Sequence, residues 1–335
     1  MKTLSIPNAP GPVSALCFGT AGFGGERIPE ERAFALLDLW RELGGILVDT
    51  ANVYGRWVDG TNLGERIIGR WLASRGKRAL TVATKCCHYD AKAPQVSRVR
   101  EDCARRDIEE SLSALGLDAL DVCWLHRDDP AVPVAEIVGF CERLRDEGLI
   151  RSYGFSNWTA DRLSAAWALC REKGYRGLMG VQNRHAAPVP SETALAAGDP
   201  TLVGFSGAQA AFHRGTGIAE LPFSALGQGA FVRMARAGAE ARDGRLVSVR
   251  DEAALGGDFA RTWLSERNLR RYERMADFCA GSGMDMTAAC VAFHTSRDYP
   301  DIPVAATSEP AHLRRLAAAC DETLPAALIA AVEAL

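Results

Sequence analysis

The sequence predicts an α/β fold, a (β/α)8 barrel, from three observations. Short apolar runs alternate with amphipathic helical stretches along the whole chain. Each run is bounded by turn or polar residues, which is typical of strands buried on both faces. The runs recur in steps of about 25 to 40 residues, which suits repeated βα units. Eight such units without a central break in composition favour a closed parallel barrel over an open doubly wound sheet.

Eight apolar runs are predicted as the strands, and amphipathic segments between and after them as helices. The strands are Ala15–Phe18, Ile46–Val48, Leu80–Ala83, Asp121–Leu125, Ser152–Phe155, Leu178–Val181, Ile218–Phe223 and Ile302–Ala305. The helices are Glu30–Leu43, Leu63–Ala73, Ser97–Leu115, Pro133–Glu147, Thr159–Lys173, Asn268–Ala280, Asp285–Ser296, Pro310–Ala319 and Pro325–Ala334. Several of the helices end at a glycine, a common helix stop signal.

We expect a single barrel domain over residues 1–335, with long loops near 186–199 and 235–257. The first loop segment is rich in Ala, Pro and Ser, and the second in Gly and charged residues. Long loops in compact domains are often functional lids, but they can also be tolerated insertions.

The composition indicates a cytoplasmic protein with a small-molecule partner. The chain has 47% hydrophobic and 24% charged residues and a net charge of −3. Arginines between 98 and 106 alternate with acidic residues, so we predict a solvated helix face and no nucleic-acid binding. No apolar run has the length of a membrane span, and no signal-peptide pattern opens the chain. Oligomeric state has no signature in this sequence.

The ten cysteines are scattered and form no C-x-x-C pair. A zinc or redox motif is therefore not expected, and we predict no metal site. In a large cytosolic chain most cysteines are small buried hydrophobes. Cys86 and Cys87 lie beside Lys85, and we interpret them as bystanders at a strand end rather than as reactive thiols.

Polar residues follow five successive predicted strands. Asp49, Lys85 and His126 come directly after three apolar runs, and Ser156 and Gln182 begin the polar pairs after the next two. Barrel enzymes carry their chemistry at the carboxyl ends of their strands. Because five successive strands share the pattern, we predict that these side chains line one cavity.

Tyr54 is the predicted proton donor of that cavity. It follows Asp49 by five residues, in a loop that can fold back over the barrel mouth. A free tyrosine has a pKa of about 10, which a nearby ammonium lowers. We predict that Lys85 supplies the ammonium and that Asp49 holds it. His126 either hydrogen-bonds the substrate oxygen or tunes the tyrosine proton.

Such a group would donate a proton to an oxygen that becomes anionic, which suits carbonyl reduction by hydride. Each residue alone also has a structural explanation, as a half-buried aromatic, a buried ion pair or a satisfied histidine. Their equivalent places in the repeat favour the catalytic interpretation.

Seven motifs, in order along nearly the whole chain, are together similar to those of the aldo-keto reductase superfamily. They are Gly19–Gly24, Gly45–Gly55, Leu63–Gly69, Thr84-Lys85, Leu125–Pro130, Gly154–Trp158 and Val181–Asn183. The resemblance implies a (β/α)8 barrel that binds NADPH, with NADH as the alternative, extended across the strand ends. It also implies Asp49, Tyr54, Lys85 and His126 as catalytic residues.

The resemblance further implies which residues bind the cofactor. They are Gly19, Thr20, Asp49, Ser156, Asn157, Gln182, Phe223, Ser224, Leu226, Gln228, Gly229, Thr307, Ser308 and His312. Ser156, Asn157 and Gln182 match residues that hold the nicotinamide carboxamide. Phe223 stands where a stacking tyrosine is usual, and the loop after it matches the one that approaches the pyrophosphate.

Residues 306–314 resemble the segment that receives the adenosine phosphate. Ala306 replaces the usual glycine, and Arg315 stands where an acidic or amide residue is usual, so the preference for NADPH over NADH stays open. Ser308 and His312 are the stronger phosphate candidates. A Rossmann fingerprint does not compete, because Arg27 occupies the place of the third glycine after Gly22-x-Gly24.

Aromatic and histidine side chains near the strand ends are predicted to line the substrate pocket. They are Phe23, Trp57, His88, Tyr89 and Trp158. We predict an oxidoreductase that reduces an aldehyde or ketone, sugar-like or biosynthetic, to an alcohol. Two alternatives use the same fold: a nucleotide-binding, redox-sensing regulatory subunit, and a pathway enzyme that catalyses oxidation or dehydration.

Overall fold

The computed structural model describes residues 1–335 and is built around an eight-stranded parallel sheet. The strands are β1 (Thr3–Leu4), β2 (Val13–Ser14), β3 (Cys17–Gly19), β4 (Leu47–Asp49), β5 (Thr81–Cys86), β6 (Leu120–Leu125), β7 (Ile150–Ser156), β8 (Gly180–Gln182), β9 (Ala219–Glu220), β10 (Glu240–Arg242), β11 (Arg245–Ser248) and β12 (Val304–Ala305). The large sheet runs in the order β12-β3-β4-β5-β6-β7-β8-β9. Each of the eight predicted strands overlaps one of its members.

The two edges of this sheet meet without a continuous ladder. A single bridge joins Glu220 in β9 to Asp301, which precedes β12. The Glu220 N–H donates to the Pro300 carbonyl at 2.8 Å, and the Ile302 N–H donates to the Glu220 carbonyl at 2.8 Å. The parallel α/β architecture is therefore present, whereas the fully laddered closed barrel of the prediction is not seen.

Helices follow most of the parallel strands. They are α1 (Glu30–Glu42), α2 (Arg56–Asp59), α3 (Leu63–Arg75), α4 (Glu101–Leu115), α5 (Val134–Asp146), α6 (Ala160–Lys173), α7 (Glu192–Ala196), α8 (Gly207–Thr216), α9 (Ala230–Arg236), α10 (Asp258–Trp263), α11 (Glu266–Ser282), α12 (Met286–Thr295), α13 (Pro310–Ala319) and α14 (Ala326–Glu333). The predicted glycine stop after α4 is a left-handed C-cap at Gly116. Proline begins α13, where its missing N–H costs nothing.

Both predicted long loops contain regular structure. Residues 235–257 hold the antiparallel hairpin of β10 and β11, which packs against α11, where Tyr272 Oη donates to the Ala239 carbonyl. Residues 186–199 hold α7, whose N-cap Ser191 accepts from the Ala194 N–H. The structure thus places a short helix and a short hairpin within the two segments that were expected to be long loops.

Alternation along the strands separates two apolar cores. Residues at one parity, such as Leu47, Ala83 and Val122, pack with each other inside the curled sheet. Residues at the other parity, such as Val48 and Cys123, pack against the helices. Because side chains alternate with period two, the residues after Leu47 and Ala83 on the inner face are Asp49 and Lys85.

Trp124 fills much of the sheet interior. A Cβ on Gly154 would lie 2.2 Å from its ring, and one on Gly180 would lie 3.2 Å from it. Both strands therefore carry glycine where the indole crosses them. Trp124 lies opposite Lys85 in the register, so this packing is adjacent to the polar strand ends.

Candidate active site

Asp49 is the centre of the polar group at the strand ends. Its Oδ2 lies 2.5 Å from Lys85 Nζ, and its Oδ1 accepts from Gln182 Nε2 at 2.8 Å. The Lys85 ammonium also donates to the Thr50 carbonyl at 2.6 Å. Asp49 and Lys85 are 4% and 3% exposed, so this is a fully buried ion pair. Three strands that are far apart in sequence are thus joined at one carboxylate.

Lys85 remains charged despite its burial. Burial acts to lower its pKa, but Asp49 and Tyr54 outweigh it and the pKa of Lys85 is raised. The Lys85 Nζ lies 4.7 Å from the centroid of the Tyr54 ring. A full positive charge is therefore held beside the phenol, as the sequence predicted.

The Tyr54 loop is fixed by local packing. The Tyr54 N–H donates to the Ala51 carbonyl at 3.0 Å, and the Gly64 N–H donates to the Tyr54 carbonyl at 3.1 Å. Gly55 has a φ of +90°, and a Cβ there would lie 2.6 Å from Leu63. Glycine is required at this turn, because any other residue would push the tyrosine loop off α3.

His126 lies next to Tyr54 and is uncharged. Their ring centroids are 6.1 Å apart in an edge-to-face arrangement, and His88 lies 4.5 Å beyond His126. Burial, Lys85 and Arg127 lower the pKa of His126 well below its usual value. Burial and Arg127 lower the pKa of His88 to about 4. His126 Nδ1 is buried without a hydrogen-bond partner.

A cavity of about 930 Å³ opens above this group. Tyr54, Lys85 and His126 line it together with Trp57 and His88, as predicted for the last two. Only 7 of its 22 lining residues are hydrophobic, and Trp57 is 66% exposed. Trp57 therefore lies at the exposed rim of a cavity that most of its lining residues approach with polar or charged side chains.

Two predicted pocket residues lie elsewhere. Phe23 is 1% exposed and packs edge-on against Phe18 in the apolar core, at 5.9 Å between ring centroids. Trp158 is fully buried and stacks on Phe155 at 4.0 Å. The structure places both rings in the apolar core, because an aromatic residue after a strand can turn into the helix layer as well as into the cavity.

The cavity wall beyond β7, β8 and β9 carries Ser156, Asn157, Gln182 and Phe223. Asn157, at a φ of +62°, donates to Ser156 Oγ and the His126 carbonyl, so its amide is used inside the protein. Gln182 Oε1, in contrast, is buried without a partner. That orphaned acceptor beside a half-buried aromatic ring fits a carboxamide N–H of a nicotinamide.

The loop after Phe223 is strained and tightly packed. Ser224 and Gln228 have φ values of +53°, and Gly229 follows at +75°. A Cβ on Gly227 would lie 2.2 Å from Pro188. Left-handed non-glycine residues concentrate at functional sites, and alternating backbone conformations turn N–H groups towards anions. Leu226 lies in the same turn, half-buried against the core.

Two hydroxyls of the predicted adenosine segment form hydrogen bonds with the neighbouring residue Glu309. Thr307 Oγ1 accepts from the Glu309 N–H at 3.0 Å, and Ser308 Oγ donates to Glu309 at 3.4 Å. His312 Nε2 is buried without a partner. Burial, Arg315 and then Arg236 lower the pKa of His312, so two cations lie close to it. Arg236 was not predicted, because it comes from the separate helix α9.

Gly19 and Thr20 support β4 rather than the cavity. Thr20 is 1% exposed, and its Oγ1 donates to the Asp49 carbonyl at 2.9 Å. A Cβ on Gly19 would lie 3.2 Å from Val304 of the neighbouring strand. The Thr20 side chain therefore positions Asp49 and does not line the cavity, and its role in cofactor binding stays a prediction.

The cysteine pair faces away from the cavity. Cys86 and Cys87 are 2% and 1% exposed, and Cys86 Sγ lies 3.5 Å from Cys123 Sγ in the layer between strands and helices. Hydrogen bonding with Cys123, with burial, raises the pKa of Cys86, and hydrogen bonding with Cys86, with burial, raises that of Cys87. Both thiols are therefore protonated, which opposes reactivity.

A second buried charged group was missed by the sequence analysis. We call it the sealed group, and it comprises His185, His294, Arg297, Asp301 and Glu333. Arg297 lies 3.0 Å from Asp301 and 2.7 Å from Glu333, and His294 Nδ1 lies 3.1 Å from Asp301. His185 stacks on Phe205 and does not line the cavity.

The sealed group has metal-ligating residue types at suitable separations. A cation of the protein, however, already pairs with both of its carboxylates, because Arg297 contacts Asp301 and Glu333. Burial lowers the pKa of His185 to about 3. His294 Nε2 lies 3.0 Å from the Ala225 carbonyl, so this group supports the strained loop after Phe223.

Comparison with known proteins identifies the protein family of this chain. A sequence model described as the Aldo/keto reductase family matches residues 15–335. The chain belongs to the aldo/keto reductase family, whose members are oxidoreductases that generally use NAD(P)H.

The individual relatives share about a third of their residues or fewer with this chain, and each match covers only about half of it. A norsolorinic acid reductase of Emericella nidulans is 32% identical over 182 residues, which are 50% of this chain and 44% of the relative. Aflatoxin B1 aldehyde reductase member 2 of Homo sapiens is 28% identical over 52% of this chain and 46% of its own. A probable voltage-gated potassium channel subunit beta of Oryza sativa is 27% identical over 47% of each chain. The chain spans about half the length of the curated relatives it matches.

None of the helices combines the length and the apolar character needed to cross a membrane.

Proposed function

We propose that this protein is an NADPH-dependent oxidoreductase that reduces an aldehyde or ketone to an alcohol, with Tyr54 as the general acid. The observation that carries the proposal is the buried Lys85 ammonium, held by Asp49 and 4.7 Å from the Tyr54 ring at a cavity. Bound NADPH would supply the hydride. We further propose that residues 1–335 form a single (β/α)8 domain.

Tyr54 is the best candidate for the proton donor because its neighbours cannot serve. His126 and His88 both have lowered pKa values, so neither carries a spare proton near neutral pH. The Lys85 ammonium stabilises the phenolate left after proton transfer. Neutral His126 is then suited to donate a hydrogen bond to the substrate oxygen as charge develops there.

Gln182 is proposed to orient the nicotinamide. Its Nε2 is tied to Asp49, which fixes the amide and leaves Oε1 free to accept a carboxamide N–H. The fixed geometry favours reaction because the reacting groups are held in place before chemistry begins. Phe223 would offer its ring to the nicotinamide face.

The preference for NADPH is proposed to rest on His312, Arg236 and Arg315. A cluster of cations favours the additional 2′-phosphate, whereas Glu309 in the same segment opposes it. Titration of tryptophan fluorescence with NADPH and NADH tests this point. Arg236→Gln should weaken NADPH binding about tenfold and leave NADH binding unchanged. Equal affinities for both cofactors in the unmodified protein would contradict the preference.

The Tyr54→Phe variant tests the reductase activity. We expect it to bind NADPH with unchanged affinity and to lose turnover of a reactive aldehyde, such as 4-nitrobenzaldehyde, by about 10² to 10⁴-fold. Turnover close to that of the unmodified protein would refute the assignment of the acid.

A regulatory role is the second candidate, because one relative is named as a channel subunit. It predicts tight NADPH binding with negligible turnover of every aldehyde and ketone tested. The same titration and assay therefore separate the two functions.

A further inference from the structure

The cavity wall carries an excess of positive charge. Its cationic side chains are Arg56, Lys85, Lys92, Arg98, Arg106 and Arg127, and its acidic ones are Asp90, Asp107 and Glu110. His88 and His126 add no charge near neutral pH, because their pKa values are lowered. Counting Asp49 and Asp199, which pair with Lys85 and Arg127, six cations stand against five acids, so one excess positive charge remains where a substrate would enter.

Four of these cations are already paired. Lys85 pairs with Asp49, Arg56 with Glu110, Arg98 with Asp107 and Arg127 with Asp199. Lys92 and Arg106 line the same cavity but form no salt bridge. They are therefore the cations available to a ligand.

Asp107 links the two backbone segments that carry the unpaired cations, whose side chains are exposed. This buried carboxylate on α4 accepts from the Cys87 N–H at 2.8 Å and pairs with Arg98. It thereby ties the loop that carries Lys92 to the helix that carries Arg106. Arg106 directly precedes Asp107 on α4, so its backbone is anchored as well.

The cations lie on the side of the cavity away from the proposed nicotinamide residues. They come from the segments after β4, β5 and β6, whereas Ser156, Gln182 and Phe223 come from the ends of β7 and β8 and the segment after β9. The residues proposed for the 2′-phosphate lie outside this cavity. A bound cofactor would therefore leave Lys92 and Arg106 free.

We propose that the substrate is a carbonyl compound with an anionic group, a carboxylate or a phosphate, and that Arg106 and Lys92 bind this group. The inference rests on the proposed reductase function. A guanidinium can bind either anion through two parallel hydrogen bonds, and a lysine adds a point charge. The proposal predicts selectivity that depends on charge rather than on the apolar size of the aldehyde.

Matched aldehydes test the proposal in the full chain with NADPH. We would compare 4-carboxybenzaldehyde with 4-methylbenzaldehyde, and glyceraldehyde 3-phosphate with glyceraldehyde. The expected result is a kcat/KM at least about tenfold higher for an anionic member than for its neutral partner. The pair that shows the larger ratio identifies carboxylate or phosphate as the preferred group.

Variants then locate the preference. In Lys92→Gln/Arg106→Gln the ratio should fall towards one, through a higher KM for the anionic aldehyde, while turnover of the neutral aldehyde stays unchanged. Arg176→Gln, an exposed cation on the loop before β8, is the matched control and should keep the full ratio. Because surface charges are screened by salt, the preference of the unmodified protein should also shrink at high ionic strength.

Two outcomes would overturn the inference, and they are distinguishable. Reduction of neutral and anionic aldehydes with equal kcat/KM would refute anion recognition and leave the reductase function standing. Reduction of none of the four aldehydes, despite NADPH binding, would refute both proposals.

Discussion

The strand-end group around Asp49 and the sealed group around Asp301 are two buried charged clusters that differ in their access to a cavity. Lys85 lines a cavity of about 930 Å³ and pairs with Asp49, and Gln182 and His126 on the same wall each keep an unpartnered polar atom. Asp301 does not line that cavity, and it contacts Arg297 and His294 while the buried carboxyl of Glu220 lies near it. Buried charge alone therefore does not identify a site.

The difference also has an energetic side. Each buried ion costs desolvation energy, and close partners offset it. At the sealed group the protein supplies those partners itself, through Arg297 and His294. This arrangement holds the loop after Phe223 in place, because His294 also contacts the Ala225 carbonyl. At the strand ends the arrangement leaves Tyr54 and a charged lysine facing a cavity, where charge that develops on a ligand can be stabilised.

The largest effect should come from Lys85→Met. Removing the ammonium leaves the Tyr54 phenolate unsupported and Asp49 buried without its ion pair. We expect turnover of an aldehyde to fall by about 10² to 10⁴-fold. Steady-state kinetics at saturating NADPH measures the change. A variant that keeps a tenth of the activity would show that the Lys85 ammonium is not needed for the chemistry that distinguishes the strand-end group from the sealed group.

Asp301→Asn should act on stability rather than chemistry. It leaves Arg297 with less compensation, and breaking a buried pair costs about 3–5 kcal/mol of unfolding free energy. Asp298→Asn is the matched control, because Asp298 pairs with Arg214 at the surface and should cost at most about 1 kcal/mol. Urea unfolding of both variants measures the difference, and equal losses would contradict the burial argument.

Glu65, which is buried beside Thr84 of β5, should make the stability of the protein depend on pH. Burial raises its pKa from 4.5 to about 7, against the hydrogen bond from Thr84. Between these values the folded state holds a proton that the unfolded chain releases, so stability falls as pH rises through this window. The loss is complete above pH 7 and is on the order of 3 kcal/mol.

Glu65→Gln removes this ionisation. Its unfolding free energy, measured in urea at pH 5 and pH 8, should therefore fall less than that of the unmodified protein. Glu322→Gln changes an exposed carboxylate and should keep the original dependence. An identical pH slope in Glu65→Gln would mean that another group releases the proton.

Trp57→Ala should have the smallest effect on stability. The side chain is 66% exposed, and such surface changes usually alter unfolding free energy by about 0.5 kcal/mol or less. Phe23→Ala, its contrast, should cost about 3–5 kcal/mol because Phe23 is a core residue. A larger loss of unfolding free energy in Trp57→Ala than in Phe23→Ala, measured by calorimetry, would contradict the placement of Phe23 in the core.

Sequence reasoning worked where position repeats. Asp49, Lys85 and His126 occur at the same point of the βα unit, at the carboxyl ends of successive strands, and this shared place was enough to predict that they lie together. It failed where contacts depend on how distant helices close over the sheet. His185 and Glu333 are 148 positions apart yet lie 3.3 Å from each other, and nothing local in either segment indicates it.

Side-chain direction after a strand was the other limit. Trp57, Phe23 and Trp158 look alike in sequence, yet the first is exposed and the other two are core residues. The choice is made by tertiary packing, as in the stack of Trp158 on Phe155. Likewise, Thr20 matched a cofactor motif, but its hydroxyl is used by the Asp49 backbone.

The ten free cysteines make it possible to measure how often different segments of the chain open. Nine of them are buried, and only Cys279 is partly accessible. A thiol reagent in solution would therefore label one position promptly and the others only when the surrounding segment opens. Following the mass of the labelled protein over time would rank its segments by how often they open.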